Sequence, residues 1–113
     1  MEATLPEVKV HQALTKLGIS FEFQSTKMGG TQVKGGAVVD FYIPSLRLVI
    51  SVIGTYWHSD PDRRVQDSLQ RTMLASQGIT TIYITEEMAL RNALYYVQEA
   101  LRGVDHSGFG RLL

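Results

Sequence analysis

The run Leu46–Ile53 (LRLVISVI) is a dense stretch of aliphatic and β-branched residues and reads as the central strand of a sheet. A strand apolar on both faces needs cover on both sides, which helices provide. It is far shorter than the ~20 apolar residues needed to span a bilayer, and no other run approaches that length.

The flanking elements follow from periodicity and punctuation. Thr4-Leu5-Pro6-Glu7 reads as a capping box with proline near a helix start. Val8, Ala13, Leu14 and Leu17 supply the apolar stripe and Gly18 the stop, so a helix is predicted over about 5–17. Ile19–Gln24 reads as a short strand, 25–36 (STKMGGTQVKGG) as a loop or irregular hairpin turn, and Ala37–Ile43 as a second strand. Pro44-Ser45 turns the chain into the central strand. Asp60-Pro61 then opens a helix over about 61–77 that Gly78 closes. Ile79–Ile84 is a buried-type strand, and Thr85 caps a final helix with Leu90, Leu94, Val97 and Leu101 on one face.

The order is α-β-β-β-α-β-α. Three successive strands imply antiparallel hairpins, and the later strand-helix-strand unit a parallel crossover. The expected fold is α/β, a mixed sheet flanked by helices. At 113 residues the chain makes one compact domain, expected over 1–102, with a flexible C-terminal tail over 103–113.

Composition narrows the chemistry. At 44% hydrophobic and 19% charged, the chain reads as an ordinary soluble protein. It has no cysteine, which excludes disulfides and thiolate metal sites. No secretory signal is visible at the start, so an intracellular, cytoplasmic setting fits. The 11 basic and 11 acidic residues cancel, which is not the balance of a strongly basic nucleic-acid binder. Their distribution softens this: between Phe23 and His58 the ionised groups are Lys27, Lys34, Arg47 and the lone acid Asp40.

Asp40 is the odd residue. A carboxylate inside AVVDFYI is costly unless compensated. It is either an edge-strand residue facing solvent or a metal ligand held by the sheet. A tight turn at Pro44-Ser45 brings the end of the central strand back beside Asp40, so Ser51-Val52 become its neighbours. His58, just past that strand in Gly54-Thr55-Tyr56-Trp57-His58, is then an acid-base candidate. Glu7 reads by itself as the capping-box acid, and Asp67 as the i,i+4 partner of Arg71 on an exposed helix face.

Taken together, VVDFYIP, the strand after it, GTYWH, and Asp67, Leu74 and Gly78 before the next strand resemble the very-short-patch-repair (Vsr) endonucleases and the wider PD-(D/E)XK, restriction-endonuclease-like superfamily. The similarity covers about residues 5–85. Its most specific part is Asp40, Val52 twelve positions on, and His58 six further, ending in Gly-x-x-Trp-His. The pattern also resembles the EDxHD nucleases of some phage homing endonucleases.

The resemblance implies a Mg²⁺- or Mn²⁺-dependent DNA endonuclease of bacterial or phage origin. Asp40 would bind the metal through its carboxylate and Val52 through its backbone carbonyl. His58 would be general base or water positioner. Glu7 would complete the site through water or an outer contact, and Asp67 would orient His58 or a water. Trp57 would wedge into or stack on DNA, with a core role the alternative. Lys27, Lys34, Arg63 and Arg64 are candidate phosphate contacts, with solvated surface charge the alternative. A module this small implies a homodimer or a partner DNA-specificity domain.

The sequence departs from the superfamily at Ser51-Val52-Ile53, where many relatives carry glutamate-valine-aspartate, and it lacks the usual lysine and the Vsr zinc cysteines. The competing expectations are therefore a catalytically inactive nuclease-fold DNA-binding or assembly module, and an unrelated α/β binding domain with Asp40 and His58 on different faces.

Overall fold

The computed structural model describes residues 4–23, 31–32, 38–54 and 61–108, with the side chains of residues 31, 32, 38, 39 and 63 outside that description. Helix α1 spans Leu5–Lys16. Its start is the expected capping box: Thr4 Oγ1 accepts from Glu7 N–H, and Glu7 Oε1 accepts from Thr4 N–H at 3.0 Å. Gly18, at φ +72°, takes the left-handed conformation that lets the chain leave the helix.

The strands are β1 (Glu22–Phe23), β2 (Thr31–Gln32), β3 (Val38–Val39), β4 (Phe41–Ile43), β5 (Leu48–Ile53) and β6 (Thr80–Thr85). Helices α2 (Pro61–Ser76) and α3 (Glu86–Leu101) flank β6 in the chain. The main sheet runs β1-β4-β5-β6, and β2 pairs with β3 in a separate two-stranded sheet. β4 is antiparallel to β1 and to β5, and β5 is parallel to β6. The mixed sheet and its helix order are those expected from the sequence.

One predicted strand is divided. Ala37–Ile43 was expected as a unit, but the chain bends at Asp40: β3 belongs to the small sheet and β4 to the main one. After β4, a 3-10 turn at Pro44–Leu46 and a left-handed Arg47 (φ 49°) return the chain into β5.

The two faces of the sheet are covered differently. Val10, Ala13 and Leu14 of α1 and Ala89, Val97 and Ala100 of α3 pack with Phe41, Ile43, Leu48, Ile50, Ile82 and Ile84 into one apolar cluster. On the other face Leu74 of α2 packs with Val49 and Ile79, and Ile53 packs with Tyr83.

Helix α3 is two helices end to end. Asn92 has non-helical φ/ψ (−162°, 76°), and its Oδ1 accepts from Tyr95 N–H at 3.1 Å. Asparagine thus caps a second helical segment inside the first one's run. The break explains a departure from the predicted apolar face. Val97 is buried and Leu94 and Leu101 are partly so, but Leu90, which precedes the break, is 51% exposed. Beyond α3, part of the segment expected to be flexible makes specific contacts. Asp105 Oδ2 accepts from Tyr83 N–H at 3.1 Å, and Asp105 Oδ1 accepts from Ser107 N–H at 2.8 Å. Residues 109–113 lie outside the described residues.

Candidate active site at the carboxyl end of strand β5

Asp40 is 3% exposed, and its Oδ2 accepts the backbone N–H of Val52 at 3.0 Å. The bend makes this possible. The β4–β5 ladder runs from Ile43↔Leu48 to Phe41↔Ile50. One step further the backbone has turned away, and the carboxylate of Asp40 takes the place of a ladder carbonyl. A buried carboxylate and a strand N–H that would otherwise lack a partner satisfy one another. The expected neighbourhood of Asp40 and Ser51-Val52 is therefore present, and the solvent-facing alternative for Asp40 is excluded by its burial.

Within an extended residue, N–H and C=O point to the same edge of the strand. The N–H of Val52 points toward Asp40, so its carbonyl lies on the same edge. Asp40 and Val52 thus present a carboxylate and a carbonyl oxygen to one region.

Asp67 lies on α2, on the opposite face of the sheet from α1, half-buried. Its charge acts on Tyr83, which pairs with Ser51 across β5–β6. Tyr83 is 3% exposed, and burial is the main reason its hydroxyl is pushed up to about 12. Asp67 and Asp105 raise it further, and Arg71 opposes them. Tyr83 is therefore a neutral hydrogen-bond donor at any physiological pH. Nothing in TTIYIT separates it from a core aromatic in the sequence, so its nearness to Asp67 was not legible there.

Glu7 is 3% exposed on the face of α1 that carries Val10 and Leu14. Its capping contacts with Thr4 are present, including Thr4 Oγ1 donating to Glu7 Oε1 at 3.1 Å. Among the described residues, no three or more histidine, aspartate or glutamate side chains gather closely enough to hold a metal ion. Lys27, Lys34, Trp57 and His58 lie outside the described residues, as does the side chain of Arg63. Arg64, in the first turns of α2, is half-buried, and its Nε is shielded from solvent with no hydrogen-bond partner among the described residues.

A second carboxylate reaches the end of β5 from the other side. Ile53 pairs with Thr85, and the next residue on each chain is Gly54 and Glu86. A Cβ placed on Gly54 would lie 2.8 Å from Glu86 Oε1 and 3.5 Å from its carboxyl carbon. In the sequence Glu86 looks like an acid placed to favour a helix N-terminus.

No protein-family model matches the chain, and no curated protein matches it. Among solved structures, the catalytic domain of homing endonuclease I-Bth0305I is similar, with a TM-score of 0.65 and 24% identity. The alignment covers 95% of this chain and 94% of that domain. At that identity the likeness shows the fold: the chain is built as that nuclease catalytic domain is built, along nearly its whole length.

Proposed function

We propose that the chain is a divalent-metal-dependent DNA endonuclease domain, Vsr-like or homing-type within the PD-(D/E)XK superfamily, that hydrolyses a phosphodiester by direct attack of water. The observation that carries this reading is the buried Asp40 carboxylate fixed on Val52 at the carboxyl end of β5. It occurs in a fold shared with a homing endonuclease catalytic domain.

The donors fit the implied metal. A carboxylate and a backbone carbonyl are hard oxygen donors of the type Mg²⁺ and Mn²⁺ accept, and two protein ligands leave room for phosphate and water. Bound there, the ion would neutralise phosphate charge and lower the pKa of water. The protein's own part is as follows. Asp40 is rigid because Val52 N–H holds it. His58 is assigned to take a proton from the attacking water, or to position that water. Asp67, beside the neutral Tyr83 donor, is assigned to orient His58 or a second water. Glu7, held by Thr4, is assigned an outer, water-bridged contact. Arg64, with Arg63, Lys27 and Lys34, is assigned to flanking phosphates, and Trp57 to stacking on DNA. The domain acts as a homodimer or with a DNA-specificity partner. Among the described residues no helix is long and apolar enough to cross a membrane.

The test is nicking of supercoiled plasmid in Mg²⁺, Mn²⁺ or EDTA by the wild type, Asp40→Ala and His58→Ala. Metal-dependent nicking lost in both variants is expected. Nicking that persists in EDTA or in Asp40→Ala sinks the assignment. One observation favours a second reading, an inactive nuclease-fold DNA-binding module: Ser51 and Ile53 flank Val52 where related sites carry acids. That reading predicts binding to branched or mismatched duplexes with no cleavage under any metal.

A further inference from the structure

A polar cavity lies between the second half of α2 and the start of β6. Thr81 pairs with Val49 and stands two residues before Tyr83, so strand alternation puts both side chains on the α2 face. With Arg71 and Ala75 of α2, and with Gly78, Ile79 and Thr80, Thr81 lines a cavity of about 240 Å³. Thr81 is 7% exposed, and its Oγ1 is shielded from solvent with no hydrogen-bond partner among the described residues. A buried hydroxyl without a partner is costly, and valine would fill the same strand position without that cost. Arg71, which also acts on Tyr83, brings a permanent charge and a fork of five N–H donors. The carbonyl end of α2 opposes an anion here, but Arg47 offsets it. Its Nη2 donates to the Gln77 carbonyl at 2.5 Å and its Nε to the Gly78 carbonyl at 3.4 Å.

A guanidinium beside a hydroxyl is a donor set that proteins use to hold nucleic-acid phosphates. Thr81 lies three rungs from Ile84, the partner of Val52, on the order of 10 Å along the ladder from the assigned metal donor. Resting on the DNA-endonuclease reading, we infer that this cavity is a phosphate subsite, filled by a DNA backbone phosphate that flanks the one being hydrolysed. Arg71 supplies the charge. Thr81 donates its hydroxyl, and the phosphate oxygen is the partner that hydroxyl lacks.

Binding is measured in EDTA, so without metal-dependent cleavage, using a short DNA duplex and, separately, inorganic phosphate. Thr81→Val keeps the shape of the side chain and removes the hydroxyl. Its urea midpoint should equal or exceed that of the wild type, while duplex affinity falls on the order of tenfold. A merely structural threonine would not separate the two readouts. Ala75→Leu fills the cavity from an exposed helix position and should weaken duplex binding similarly. Arg71→Gln should reduce the slope of log affinity against log salt by about one, as when one phosphate contact is lost. Wild-type affinity in both Thr81→Val and Ala75→Leu, or an unchanged salt slope in Arg71→Gln, would overturn the subsite. So would a wild type that responds to neither probe. Inorganic phosphate that shifts the Gly78 and Thr81 amides of a chain binding no duplex would overturn DNA as the source of the phosphate. Duplex binding weakened as expected, in a wild type that nicks no plasmid under any metal, would overturn the nuclease reading and leave the subsite standing.

Discussion

The two faces of the main sheet contrast in chemistry as well as in cover. Under α1 and α3 lies a single apolar cluster of 12 buried residues drawn from two helices and three strands. Under α2 there are two small clusters, and among them lie the buried Tyr83 and Thr81 and the half-buried Asp67 and Arg71. A continuous apolar face gains burial energy and tolerates no polar group without a partner. An interrupted face loses some of that energy and can hold charges near a strand end. The interrupted face thus holds Asp67 and Arg71 beside Tyr83, whereas on the continuous face the one buried acid among the described residues, Glu7, is held by its capping contacts with Thr4.

Substitution at Asp40 should produce the largest effect. Asp40→Asn keeps the shape of the side chain and an acceptor for Val52 N–H, so circular dichroism should show a folded protein. Nicking should nonetheless fall on the order of 10²–10³-fold, as when a single group stabilising developing charge is lost. Retained activity in Asp40→Asn would detach the chemistry from this carboxylate.

The contrast between faces is sharpened by paired truncations. Leu14→Ala opens a cavity in the continuous cluster and should cost about 3–4 kcal/mol in urea unfolding. Leu74→Ala, in the smaller cluster, should cost nearer about 2–3 kcal/mol, because fewer apolar neighbours surround the void. Equal costs would mean that α2 contributes as much to stability as the other two helices.

A smaller effect concerns alkaline pH. The Tyr83 hydroxyl titrates at about 12 in the folded chain and near 10 when unfolded. The folded state favours the neutral phenol, so this contribution is complete below pH 10 and is lost as pH rises toward 12. Wild-type stability should therefore fall over that interval by up to about 2 kcal/mol more than that of Tyr83→Phe, measured by urea titration at each pH.

The smallest effect is at acid pH, on the far end of α3. Glu99 is lowered first by its hydrogen bond to His106, at 3.0 Å, with Arg102 and the His106 charge adding to it. A lowered carboxyl pKa stabilises the fold above the ordinary carboxylate range, and that contribution disappears as pH drops below about 4. Glu99→Gln should flatten this acid limb slightly and leave the neutral Tm almost unchanged, since its partners Arg102 and His106 are exposed.

Most of the scaffold could be read from the chain because local signals agreed with one another. Thr4 with Glu7, Pro61 with Gly78, and Thr85 before an apolar helix each name an end by its own hydrogen-bond chemistry. The pairing of Asp40 with Val52 followed from strand order and a tight turn. What was not legible depends on tertiary choice. An aspartate in an apolar run does not reveal that the chain changes sheets at that residue. Asn92 carries a capping signal, but the helical residues on both sides conceal it, and Leu90 was placed on the wrong face in consequence. The nearness of Tyr83 to Ser51 and Asp67 arises only from strand pairing and helix packing, which the local sequence does not announce.

The Asp105–Tyr83 hydrogen bond bears on solubility. Among the described residues β6 is the outermost strand of its sheet, and the outer side of such a strand is a template for pairing with another chain. Asp105 occupies the Tyr83 N–H on that side and places a carboxylate there, and Ser107 holds it in position. A carboxylate at that position works against pairing of the strand edge with another chain. A chain cut after Gly103 should scatter light at concentrations where the longer one stays dispersed, and Asp105→Ala should move part of the way toward that behaviour.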